Sequence, residues 1–223
     1  MRAAYHHLVP SGPIKEWHNL VWFHHGIPKA AFILWLAIKG RLGTQDRLHI
    51  STSDPKCLLC YTDLETDSHL LFSCPISLNI WEKVLLRCND TYHNTPWEEY
   101  ITWLSSHWKG KALMTTIKKL CFASTVYTIW AERNNRYHTH NSRDVNSIVA
   151  SILELVLLKL STLSKIKNNS VNQSTKEAWG LRIIVSFDVS CLLTLYVSHS
   201  VLYHLGYARP LYSVFPLYLI TFA

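Results

Sequence analysis

Cys57, Cys60, His69 and Cys74 are the residues of this 223-residue chain whose types and spacing carry chemistry. They stand as Cys-x2-Cys-x8-His-x4-Cys, inside the stretch "CLLCYTDLETDSHLLFSC". Two cysteines separated by two residues can turn both sulfurs towards one ion in a tight knuckle, and a neighbouring element then supplies the other two ligands. Asp67 or Ser68 stands where a short helix carrying His69 would need its cap. Three thiolates and one imidazole close a tetrahedral shell around Zn²⁺ and leave no position for water. The expected centre is therefore one structural zinc, not a hydrolytic site. In small finger peptides such an ion is worth on the order of 10–16 kcal/mol, enough to dominate the stability of its surroundings.

The competing reading of the same residues is a set of buried or paired cysteines without metal. Six cysteines, an even number, permit disulfides. The opening "MRAAYHHLVPSGPIKEW" has no uninterrupted apolar run, so a secretory signal is not expected. In a reducing compartment clustered cysteines bind metal more often than each other. His18, His24, His25 and His49 match no ligand spacing and are expected to be ordinary surface or half-buried histidines. Cys88, Cys121 and Cys191 read as small apolar core residues.

The elements that must position the cluster read as helices. Hydrophobic residues make up 48% of the chain against only seven glycines, which favours a packed, mainly α body. Pro28 is placed for the first turn of a helix through Phe32, Trp35 and Leu36, with Gly40 or Gly43 to stop it. Thr44 is an N-cap candidate for a short helix through Arg47 and Leu48. Pro75 opens a second helix with Ile76, Ile80, Trp81, Val84 and Leu85 on one face. The stretch "NDTYHNTPWEEYITWLSSHWKG" reads as a polar, aromatic-rich connection. Long amphipathic patterns follow over about 111–138, with Leu113, Ile117, Leu120, Ser124, Tyr127 and Trp130 on its apolar face, and over 145–163. "KIKNNSVNQSTKE" is polar enough to be a mobile linker.

After Trp179 the composition changes. The tail has only Arg182, Asp188 and Arg209 as charged residues, and 183–205 is long enough to cross a bilayer, which needs about 20 apolar residues. Asp188, His199 and His204 count against a span, because an unpaired charge at depth is costly.

The net charge of +7 suits an anionic partner and is unevenly spread. Residues 46–75 carry Arg47 and Lys56 against five acids, whereas 109–144 carry seven basic residues against Glu132 and Asp144. A phosphate-contacting surface is therefore expected on the flanks, at Lys109, Lys111, Lys118, Lys119, Arg133 and Arg136, and not on the cluster. Trp108, Tyr127 and Trp130 are interleaved with these residues. Core packing is the expected role of Trp35, Trp81 and Trp130, and solvated helix faces would explain the basic runs without any ligand.

The stretch from Val21 to Trp81 resembles the zinc-binding domain found downstream of the reverse transcriptase in plant LINE-type (non-LTR) retrotransposons. The resemblance rests on Trp22, Pro28-Lys29, Phe32, Trp35, Arg41-Leu42, Thr44, Arg47-Leu48, the CxxC pair, Glu65-Thr66, His69-Leu70, Phe72, Cys74-Pro75 and Trp81. It extends more loosely to "IWAERNNRYH", Ile129 to His138, and to "AWGL". It implies zinc on Cys57, Cys60, His69 and Cys74, in agreement with the spacing.

The organisation expected is an irregular arm over 1–16, the zinc-binding domain over 17–90, a helical extension over 109–165, a polar linker over 166–180 and a hydrophobic tail over 181–223. No Tyr-x-Asp-Asp polymerase signature and no nucleophile elbow occur, so no catalysis is expected. The function expected is a retrotransposon-derived zinc-binding module that contacts RNA or DNA through its basic flanks. The alternative is a structural or protein-binding remnant, attached to a membrane if the tail inserts. An intracellular setting follows, the nucleus first.

Overall fold

Two prolines set the starts of the helices nearest the cluster. In the computed structural model, which describes residues 15–47, 55–92, 95–163 and 169–181, Pro28 and Pro75 each occupy the first turn of a helix. There a missing N–H costs nothing, because the first amides of a helix have no partner within it. The described elements are α1 (His18–Val21), α2 (Pro28–Ile38), a π-helical turn (His69–Ser73), α3 (Pro75–Arg87), α4 (Trp97–His107), α5 (Leu113–Thr139), α6 (Val145–Ser161) and α7 (Ser170–Ala178). The described residues up to Leu181 form one compact unit. Its β-structure, among the described residues, is one antiparallel bridge between Lys56 and Leu64. The protein is mainly α, as its composition indicates.

Helix α2 stops at Gly40, which adopts φ +58° and donates its N–H to the Ala37 carbonyl. Beyond it Thr44 starts a turn closed by Arg47 N–H at 3.0 Å. Helix α6 is capped as its sequence suggests, with Asp144 Oδ1 accepting the N–H groups of Asn146 and Ser147. Helix α5 is the axis on which α1, α2, α3, α6 and α7 pack. Leu113, Ile117, Leu120 and Ser124 of its expected face are buried, while Tyr127 and Trp130 are only half-buried. Phe122, Val126, Ile129 and Arg133 on other sides are buried as well, because a central helix is covered all round.

Two stretches differ from expectation. The presumed connection after Cys88 contains α4, which buries Trp97, Tyr100, Ile101 and Leu104 at one-turn spacing. Glu98 and Glu99 in its first turn favour the helix through its dipole. Its many polar residues masked that periodicity. The presumed linker contains α7, capped by Asn169 Oδ1 on Asn172 N–H at 2.8 Å. At its other end Arg87 donates to the Ala178 carbonyl at 2.7 Å, with its guanidinium over the Trp179 ring. No described helix is long and apolar enough to cross a membrane, and residues 183–205 lie outside the described residues.

The π-helical turn depends on side chains from the rest of the fold. Cys74 N–H closes it on the His69 carbonyl at 2.7 Å. The carbonyls that follow lose their usual donors, since Pro75 has no N–H and the amides of Ile76 and Ser77 serve the Cys74 sulfur. Three side chains replace them. Ser77 Oγ donates to the Leu70 carbonyl at 2.5 Å, Trp81 Nε1 to Leu71 at 3.0 Å, and the Tyr92 hydroxyl to Phe72 at 3.3 Å. Phe72 meanwhile stacks on Trp97 with centroids 4.0 Å apart, and both lie beside Trp81 and Phe122. Replacing Ser77 by alanine strands a buried carbonyl, so Ser77→Ala is expected to lose about 1–3 kcal/mol in urea unfolding. An unchanged midpoint would show that the turn does not need this hydroxyl.

Candidate metal centre and cationic cleft

Cys57, Cys60, His69 and Cys74 converge, with their ligand atoms all within 4.8 Å of one another. Cys57 Sγ lies 4.0 Å from Cys74 Sγ, and Cys60 Sγ lies 3.3 Å from His69 Nε2. Around a tetrahedral zinc with bonds of about 2.0–2.3 Å, neighbouring ligand atoms stand roughly 3.5–3.8 Å apart. The four residues therefore fit one structural zinc ion.

Local structure accounts for each placement. The hairpin from Pro55 to Glu65 is held by Cys57 N–H on the Asp63 carbonyl at 2.7 Å and Glu65 N–H on Pro55 at 3.0 Å. Its knuckle turns through Tyr61 at φ +60°, a left-handed conformation that costs a side-chain-bearing residue about 1–2 kcal/mol. His69 and Cys74 are five residues apart, which on an α-helix would set them about 140° apart. The wider π winding brings them to one side. Thr66, not Asp67 or Ser68, supplies the cap, its Oγ1 accepting the His69 N–H at 3.1 Å.

The two buried sulfurs share a hydrogen bond and differ in acidity. A hydrogen bond from the Cys57 thiol, with the amides of Ser77 and Ile76, holds Cys74 down to about 5 against the opposing effect of burial. Cys57 is pushed up by that same hydrogen bond and by burial, while the amides of Cys60 and Leu59 work against the rise. Thr62 Oγ1 donates to Cys60 Sγ at 3.1 Å. Cys88 and Cys121 are buried apart from the cluster, as expected, and Cys191 and His49 lie outside the described residues.

Glu65 ties this centre to the helices. Its side chain is fully buried, and Oε1 accepts from Arg133 Nη2 at 2.7 Å, Arg133 Nε at 2.9 Å and Gln45 N–H at 3.0 Å. Oε2 accepts the knuckle amide of Leu58 at 3.1 Å. One helical turn on, Arg136 donates to the knuckle carbonyls of Leu58 and Leu59 and pairs with Glu132 at 2.9 Å. Glu132 is buried too, which would push its carboxyl up, but the amide and guanidinium of Arg143 and the side chain of Arg136 bring it below its usual value. Sequence reasoning put Arg133 and Arg136 among the nucleic-acid contacts. Both are buried and committed to the metal module.

The other basic residues divide. Lys118 pairs with Asp90 at 2.7 Å. Lys109, Lys111 and Lys119 line one cleft of about 1380 Å³, together with Lys159 from α6. Lys119 is 6% exposed, donates to the Asn19 carbonyl at 3.0 Å, and is lowered by burial. Trp22, Phe23, His24 and His25 from the α1–α2 loop line it as well, and Glu16 is the one acid among its described lining residues. His25 is lowered by burial, by His24 and by the charge of Lys159. Sequence reasoning found Lys109, Lys111 and Lys119 but missed Lys159 and the two histidines, which reach the cleft only through tertiary packing.

Residues 1–81 match a family model described as zinc-binding in reverse transcriptase. This segment is similar to the zinc-binding domains of reverse transcriptases. No curated protein and no solved structure matches the chain. The match covers all four ligands and Glu65 and ends before Arg133 and Arg136, so the two arginines that grip the zinc-binding domain come from sequence beyond it.

Replacing Arg133 by methionine leaves the Glu65 charge buried without its partner. Arg133→Met is expected to lose about 3–5 kcal/mol in urea unfolding with zinc present, with most of that recovered in Arg133→Met/Glu65→Leu. Equal losses in the single and double variants would mean that packing, and not the charge pair, accounts for the effect.

Proposed function

We propose that the protein is a non-catalytic, zinc-stapled module of reverse-transcriptase origin that binds nucleic acid through its cationic cleft. The observation that carries this reading is the convergence of Lys109, Lys111, Lys119 and Lys159 on one cavity with Glu16 as the only acid among the described lining residues. Burial disfavours the charge on Lys119, and an anion in the cleft would offset that cost. A chain of phosphates suits it better than a single ion, because the basic groups come from separate segments of the chain around a large space.

The zinc centre fits a supporting role. Its four protein ligands fill a tetrahedral shell, so its contribution is to hold the knuckle and the start of α3 against α5. Glu65 and Asp67 beside it are paired with Arg133 and Arg47, so their charges are answered within the protein. Binding and stapling thus belong to different faces of the module.

Lys109 and Lys111 are exposed, so their replacement by glutamine leaves the core untouched. In a fluorescence-anisotropy salt titration with a labelled oligonucleotide, Lys109→Gln/Lys111→Gln is expected to weaken binding and lower the log–log salt slope by about 1.5. An unchanged slope, or binding to heparin as tight as to nucleic acid, would contradict the reading.

A further inference from the structure

Resting on that reading, we infer that the cleft takes an unpaired strand, with bases stacked on the Trp22–His25 rings and phosphates against the lysines. Its lining combines two chemistries. Four consecutive rings, Trp22, Phe23, His24 and His25, come from the loop between α1 and α2. Trp22 is 42% exposed, and the rings of His24 and His25 lie 4.5 Å apart. The same lining holds Lys109-Gly110-Lys111 and the start of α5. That helix start carries no acid and no side-chain cap, so its free amides add to the positive potential.

A strand whose bases are unpaired can use rings and lysines at once, because every base has a face to stack and every linkage a phosphate. A duplex cannot. Its base faces are already covered by neighbouring pairs, and only edges and backbone are offered to a protein. Size points the same way, since the cavity of about 1380 Å³ exceeds the roughly 300–1,000 Å³ of a small-molecule pocket.

The test compares, on the full chain with zinc, fluorescein-labelled oligothymidylate and oligouridylate with a DNA duplex of the same length, at several salt concentrations. The expected result is single strands held at least about tenfold tighter than duplex, with the thymidylate and uridylate arms showing whether DNA or RNA is preferred. Trp22→Ala, at an exposed position outside the metal centre, is expected to weaken single-strand binding by roughly 5- to 150-fold, the worth of one stacked base, without altering the salt slope. Duplex bound as tightly as single strands, or full single-strand affinity in Trp22→Ala, would overturn the inference and leave nucleic-acid binding standing. No binding to any of the three probes would overturn both.

Discussion

The buried carboxylate of Glu65 is the constraint around which this protein is assembled. A charge with no exposure to water is costly unless every lone pair is answered, and here four donors answer it. They come from the knuckle amide of Leu58, the turn amide of Gln45 and the guanidinium of Arg133, three segments far apart in sequence. Satisfying one side chain therefore fixes the hairpin of the metal centre, the end of the α2 segment and the axial helix relative to one another. Arg136 repeats the connection through the carbonyls of Leu58 and Leu59, and is itself held by Glu132, which also binds Arg143. The zinc ligands and the helical body thus share one polar network, supported on its apolar side by the stack of Phe72, Trp97, Trp81 and Phe122.

That network separates two kinds of basic residue which look alike in a sequence. Arg133 and Arg136 are spaced to read as a cationic helix face, and the charge count of 109–144 encouraged that view. Their planar forks instead serve carboxylate and carbonyl acceptors inside the protein, the task for which guanidinium is best suited. Lys109 and Lys111, by contrast, are exposed on the lining of the cleft.

How much of this was legible in the sequence depended on how local its cause was. The ligand set was legible because a CxxC knuckle and a histidine five residues before a cysteine are short-range patterns. Helices α2, α3, α5 and α6 were legible from proline placement and periodic apolar residues. Helix α7 was not, because its stability comes from Asn169 capping it and Arg87 closing it, contacts that a polar composition hides. The π winding after His69 was not legible either. It exists because Pro75 and the Cys74 sulfur withdraw the usual backbone donors, and because Ser77, Trp81 and Tyr92 supply others from outside the turn. The cleft needed the fold itself, since Trp22, Lys109 and Lys159 meet only when three distant segments pack together.

Hydrogen exchange read by mass spectrometry, before and after a chelator removes zinc, tests most directly whether the metal centre and the axial helix form one unit. If the Glu65 network joins them, peptides covering 57–74 and those covering Ile129 to Thr139 in α5 lose protection together when the metal leaves. Loss of protection confined to the knuckle, with the Arg133–Arg136 turn unchanged, would contradict the account.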